Sequence, residues 1–92
     1  MEIEFDPEKD ARNIRERRIS LARFADMDLE TALAVEDARM DYGERRVRLL
    51  GVIAGRLHAA VITYRGAGVR VISLRRANLR EERKYEKDVR SS

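Results

Sequence analysis

The chain has no cysteine, and that absence removes three chemistries together: a disulfide framework, a cysteine-ligated zinc cluster and a catalytic thiol. Stability must come from packing, and the composition suits a reducing cytosol. There is a single histidine, His58, and a single proline, Pro7. Long hydrophobic runs are also missing. The longest uninterrupted apolar stretch, Leu49 to Gly55, is far short of the roughly 20 residues that span a bilayer. The acidic opening "MEIEFDPEKD" is unlike a secretory signal. A soluble, cytoplasmic protein without a membrane partner is expected. No internal repeat and no linker divides the 92 residues, which form one domain, 1–92, large enough for one core and too small for two. Only the last few residues look disordered.

What the chain has in abundance is charge: 40% of its residues, with 20 Lys and Arg against 17 Asp and Glu, for a net +3. The distribution is lopsided. Residues 1–42 carry 12 acids and 7 bases, while residues 43–92 carry 5 acids and 13 bases. The acids crowd between Asp26 and Asp41. A basic half of this kind suits a polyanion, and the acidic segment suits a different, basic partner. Nearly all the bases are arginine, the side chain that grips phosphate bidentately.

The pattern reads as α+β. "MEIEF" alternates and places Ile3 and Phe5 on one face of a short strand. Asp6 before Pro7 marks a helix start, and a helix from about Pro7 to Arg18 follows, with Ala11 and Ile14 as its inward pair. Ser20 caps a second helix burying Leu21, Phe24 and Ala25. From Asp26 to Tyr42 the acids alternate irregularly with Met27, Leu29, Leu33, Val35 and Met40, a pattern that fits helix, loop or strand equally. Beyond Gly43 three β-rich runs, Glu44–Ile53, Arg56–Arg65 and Val69–Arg76, are separated by Ala54-Gly55 and Gly66-Ala67-Gly68, and such short loops make an antiparallel meander. Asn78 and Glu81 have capping-box spacing for a final helix, which buries Leu79, Tyr85 and Val89.

If position 53 opposes 56 and position 65 opposes 69, the strand residues sort into two faces. One holds Val47, Leu49, Ile53, Ala60, Ile62, Tyr64, Ile72 and Leu74, with Arg56, His58, Arg70 and Arg76 at its margins, and can carry the helices. The other surrounds an apolar centre of Leu50, Val52, Leu57, Ala59, Val61 and Val71 with Arg46, Arg48, Thr63, Arg65, Ser73 and Arg75. A single bulge would exchange faces for part of a strand. An apolar centre left open to water predicts a protein partner.

Three stretches, "FDPEKDARNI" (Phe5–Ile14), "GRLHAAVITYR" (Gly55–Arg65) and "RVISLRRANLREERKYE" (Arg70–Glu86), resemble the BrnT family of bacterial toxins, in order and over nearly the whole chain. The resemblance implies a RelE-like compact domain, with N-terminal helices packed on a three- to four-stranded antiparallel sheet and a C-terminal helix. It also implies a metal-independent ribonuclease that blocks translation, without cofactor or metal. Its implied partner is a BrnA-like antitoxin with a ribbon-helix-helix DNA-binding part, through which alone operator DNA is contacted. Phe5, Asp6, Pro7, Lys9 and Asn13 match the family's opening, Thr63 and Arg65 its middle strand, Arg70, Ser73, Arg75 and Ala77 its R-x-I-S-x-R-x-A pattern, and Glu82 and Tyr85 its last helix. One departure stands out: where the family reads Lys-His-Gly, this chain has Glu16-Arg17-Arg18. An arginine cannot act as a base at neutral pH. Without the family's glycine terminator, the first helix is free to run on into the second.

Metal-free RNA cleavage needs a proton taken from the ribose 2′-hydroxyl, a proton given to the leaving oxygen, and stabilisation of added negative charge. The charge converges where the third β run hands over to the last helix, a junction whose exposed amides add positive potential. The expected catalytic set is Arg65, Arg75, Glu82 and Tyr85, with Arg65 and Arg75, or Arg75 and Arg83, bracketing a phosphate. The expected RNA-binding set is Lys9, Arg12, Arg46, Arg48, Arg70, Ser73, Arg76 and Arg83. Each has a plainer reading. Tyr85 has core-edge spacing with Leu79 and Val89, Glu82 is equally suited to pairing with Arg75, and His58, the third candidate proton carrier, sits among apolar neighbours. The arginines equally suit a solvated sheet edge. Two other functions fit the same residues: a non-catalytic basic module binding nucleic acid or protein, and a toxin of the same fold acting on a target other than RNA, such as a topoisomerase.

Overall fold

A computed structural model describes residues 1–37 and 43–90. The fold is α+β, a five-stranded mixed sheet with helices at both ends of the chain. In chain order the elements are β1 (Ile3–Glu4), α1 (Pro7–Arg17), a 3₁₀ helix (Leu21–Asp26), β2 (Leu33–Asp37), β3 (Arg46–Ile53), β4 (Arg56–Arg65), β5 (Gly68–Arg76) and α2 (Leu79–Arg90). The sheet order is β1-β5-β4-β3-β2, with β1 parallel to β5 and the other pairs antiparallel. The acidic segment that suited three structures contributes β2 at the sheet edge; Met40 and Asp41 lie outside the described residues.

The two hairpin turns set the register. Ala54 and Gly55 both have positive φ, 50° and 79°, the two-residue geometry that matches strand twist, and Ile53 opposes Arg56 as expected. At the second turn Arg65 opposes Gly68, not Val69, because Gly68 belongs to the strand and leaves a two-residue loop. A bulge between Val61 and Ile62 then inserts one extra β5 residue, so that Val61 faces Ser73 while Ile62 faces Val71. The face assignments of β5 exchange across it. Val71 is 1% exposed and belongs to the core in place of Ile72, and Arg70 moves to the face of Arg46 and Thr63. Tyr64 is exposed at the hairpin end rather than buried.

The core is built by Leu21, Phe24 and Met27 against Val47, Leu49, Ile53, Ala60, Ile62, Val69, Val71 and Leu74, with Ile3, Phe5 and Ile19 around it. Gly51 gives Met27 its space: a Cβ there would lie 2.6 Å from the Met27 Cγ and Sδ atoms. The second helix is thus a 3₁₀ turn, capped by Ser20 as expected, and Ala25 faces solvent.

Helix α1 is held differently from the expectation. It has no buried residue, and Ala11 and Ile14 are both exposed. Its inward stripe is Asp10 and Asn13, a polar pair at helical spacing. Asn13 Nδ2 donates to the carbonyls of Ile19 and Leu74, each at 2.8 Å, and Asp10 Oδ1 accepts from Ser20 Oγ at 2.9 Å and from the Leu21 amide at 2.7 Å. The helix start is as read, with Asp6 accepting from the Glu8 amide at 2.8 Å. The helix does not run on. Arg18 adopts the left-handed conformation (φ 63°) and its amide donates to the Ile14 carbonyl, so a non-glycine residue performs the C-cap.

Candidate functional site

At the other end of the chain Asn78 and Glu81 close a reciprocal capping box. The Glu81 amide donates to Asn78 Oδ1 at 2.8 Å and the Asn78 amide to Glu81 Oε1 at 2.9 Å. The same carboxylate takes a fork of two hydrogen bonds from Arg75, Nη1 to Oε1 at 2.8 Å and Nη2 to Oε2 at 2.9 Å. One acid thus starts α2 and ties it to the end of β5. The Arg75 hydrogen bonds hold the Glu81 carboxyl below its ordinary value, and those to Glu81 raise Arg75 further. Glu81 is therefore an ionised anchor at neutral pH rather than a proton donor.

From this anchor α2 passes over the sheet face opposite the core, and a second bond, Tyr85 Oη to the Thr31 carbonyl at 3.0 Å, ties it near β2. Leu79 and Val89 are exposed, contrary to expectation, and Tyr85 is half-buried. The helix is moored at polar points because the sheet face beneath it is itself mixed. Between helix and sheet lies a cleft of about 300 Å³ whose polar wall is Arg48, Ser73, Arg75, Glu81 and Lys84, against an apolar wall that includes Leu33, Val35 and Val61. The expected apolar centre, Leu50, Val52, Leu57, Ala59 and Val61, is half-buried.

The structure brings Arg48, Ser73 and Arg75 together here and separates them from Arg65. Ala59 opposes Arg75, and Arg65 lies six residues further along β4, about 20 Å away at ~3.3 Å per residue, so these two do not bracket one phosphate. Arg65 instead reaches Glu44 at 3.4 Å and Glu4 at 4.0 Å, Arg70 bonds Glu4 at 3.1 Å, and Arg46 lies 3.6 Å from Glu44. Thr63 is buried and donates to the Arg45 carbonyl at 2.7 Å. The partner of Arg75 is Glu81, not Glu82, because the reciprocal cap turns position 81 back toward the strand. Glu82 is exposed and borders a shallow depression with Arg56 and Arg76. Arg83 is exposed on the same helix, and Lys9 and Arg12 lie on α1, half-buried and exposed. Lys84 lines the cleft and pairs with Asp88 at 3.4 Å; the i, i+4 spacing was legible, its approach to the strand face was not. Among the described residues no group of three His, Asp or Glu side chains could hold a metal ion, and no helix is long and apolar enough to cross a membrane.

Residues 5–81 match the family model described as a ribonuclease toxin, BrnT, of type II toxin-antitoxin systems. The chain belongs to the BrnT family. No curated protein shows a significant match. The family is one of ribonuclease toxins, and a type II system supplies a protein antitoxin as partner. The match spans β2 to β5, both N-terminal helices and the capping box; β1 precedes it, and it ends at Glu81, so Glu82, Arg83 and Tyr85 lie beyond it.

Proposed function

We propose that this BrnT chain is a metal-independent endoribonuclease that blocks translation, with its reaction centre where β5 meets α2. The observation that supports this reading is the convergence of Arg48, Ser73, Arg75 and Lys84 on one cleft. Three cations that cannot be bases at neutral pH are suited to stabilising the extra negative charge of a pentacoordinate phosphate. Arg75 meets that phosphate when RNA competes with Glu81 for its fork, two anionic ligands of the same geometry. Glu82, exposed on the next position of the helix, and Tyr85 are the proton-handling groups of the proposal. Arg65, Arg46 and Arg70, with Lys9, Arg12, Arg76 and Arg83, guide the RNA backbone over the rest of the surface. The antitoxin is BrnA-like, its ribbon-helix-helix part alone contacts operator DNA, and it covers the half-buried apolar centre beside the cleft. The chain works in the cytoplasm.

The deciding assay incubates the purified protein with end-labelled RNA in excess chelator, beside Arg75→Ala and Glu82→Ala. Cleavage leaving a 2′,3′-cyclic phosphate, reduced in either variant by about 10²-fold or more, is expected. RNA left intact both by the free protein and by the protein added to translating ribosomes refutes the reading.

A further inference from the structure

On the α2 side Arg46, Arg65, Arg70 and Arg75 face carboxylates. On the opposite, helix-bearing side the α1 arginines and the strand-end pair do not: among the described residues Arg17, Arg18, Arg56 and Arg76, like Arg12 and Arg15, form no ion pair. Arg17, Arg18, Arg56 and Arg76 are the ones that come together. These four, with Arg23, converge on a cavity of about 480 Å³ at the end of the sheet, and His58 lines it with them. Four elements deliver them. Arg17 and Arg18 arrive on the left-handed end of α1, Arg23 on the 3₁₀ helix, and Arg56 and Arg76 on neighbouring strands, where Arg76 is the cross-strand partner of His58. No carboxylate lines the cavity; the nearby Asp26 engages Arg23 at 2.9 Å. Guanidiniums gathered in a concavity repel one another unless an anion joins them, and their planar forks favour phosphate.

His58 adds chemistry that the arginines lack. It is 6% exposed, and its Nδ1 lies 2.8 Å from the Arg56 carbonyl oxygen. A carbonyl only accepts, so the hydrogen of the neutral ring is on Nδ1 and Nε2 is the bare nitrogen. The neutral form of the ring therefore adds one accepting nitrogen to a cavity whose charged groups can only donate. A phosphate ester with a hydroxyl donor on the adjacent carbon answers both, and a ribose 3′-phosphate has that form.

We propose that this cavity binds one phosphate of an RNA chain together with the neighbouring ribose 2′-hydroxyl, the arginines holding the phosphate and His58 Nε2 accepting from the hydroxyl. The site selects RNA over DNA, since the 2′-hydroxyl is the group that differs. It rests on the reading that RNA is the substrate, and it is separate from the cleft under α2. Arg56 and Arg76 also border the depression that reaches Glu82, which gives the backbone a route from the cavity to the start of α2.

The test uses the full chain, ¹⁵N-labelled, whose only histidine makes every imidazole resonance that of His58. It is titrated with adenosine 3′-monophosphate and with 2′-deoxyadenosine 3′-monophosphate, neither of which has a scissile phosphodiester. The ribonucleotide is expected to shift the Nε2 resonance and to bind about fivefold more tightly than the deoxy probe, the worth of one hydrogen bond between neutral groups. Arg56→Ala and Arg76→Ala each weaken both probes by about tenfold, while Arg80→Ala, at an exposed position of α2 that lines neither cavity, leaves both unchanged. Equal affinity for the two probes, an unmoved His58 resonance, or binding that Arg56→Ala and Arg76→Ala weaken no more than Arg80→Ala does overturns the proposal. Failure of the cleavage assay with these titrations as expected sinks the catalytic reading alone.

Discussion

Replacing Glu81 by Gln isolates the charge of the one residue that joins β5 to α2. The amide retains an oxygen for the Asn78 amide and for Arg75 Nη1, now 2.9 and 2.8 Å from Oε1, but sets an NH₂ against Arg75 Nη2, which bonds Oε2 at 2.9 Å. One charge-assisted bond is lost and its neighbour weakened, bonds worth about 1.5–3 kcal/mol each in protected surroundings. With the Arg75 side chain 35% exposed, solvent screening reduces the loss to about 1–2 kcal/mol. Because α2 is moored by this fork and by Tyr85, the loss falls on docking of the helix. Amide exchange within α2 should quicken by about 5–30-fold, while β3 and β4 exchange as before. The Tm should fall by about 4–8 °C per kcal/mol that reaches global unfolding. The sign with pH is fixed as well. The Glu81 carboxyl is depressed in the fold, so its stabilisation is complete above the ordinary unfolded value of about 4.3 and is lost as pH falls through the lowered folded value. The Tm gap between wild type and Glu81→Gln should therefore close in acid. RNA affinity should move oppositely to stability, rising in the variant because Arg75 is released. Unchanged α2 exchange at neutral pH, or a Tm gap that persists in strong acid, refutes the reasoning.

Further substitutions test how the N-terminal elements are held. Asn13→Ala strands the carbonyls of Ile19 and Leu74 and should cost about 1–3 kcal/mol by urea titration, although the position shows no apolar burial; Ile14→Ala, at an exposed site, should change stability by less than about 0.5 kcal/mol. Gly51→Ala drives a methyl into Met27 and should cost about 1–3 kcal/mol. In the double variant with Met27→Ala the costs should be less than additive, and strict additivity would show that the two sites are uncoupled.

Local chemistry was readable along the chain wherever one segment contained both partners. Asp6-Pro7, Ser20 and the Asn78/Glu81 box each cap the element they precede because donor and acceptor lie within a few residues of each other. The first hairpin register followed from the length of its loop, and α+β architecture followed from the rhythm of the runs. The motifs at Phe5–Ile14, Gly55–Arg65 and Arg70–Glu86 carried the family, and the match over residues 5–81 agrees with them. Where apolar periodicity was weak, it misled: the inward stripe of α1 is Asp10 and Asn13, since buried carbonyls at Ile19 and Leu74 needed a donor more than the core needed Ala11.

The rest was decided in three dimensions, because it depends on which distant segments meet. A one-residue bulge in β5, invisible in composition, sent Val71 inward and Arg70 outward, since side chains alternate strictly along a strand. The choice of Glu81 over Glu82 as partner of Arg75 depended on the cap rotating one carboxylate toward the strand end. The cavity around His58 draws on α1, the 3₁₀ helix and three strands, so no window of sequence contains it. The sequence by itself determined charge, caps, turns and family; the tertiary structure decided which arginines are already neutralised by carboxylates and which converge, unpaired, on common ground.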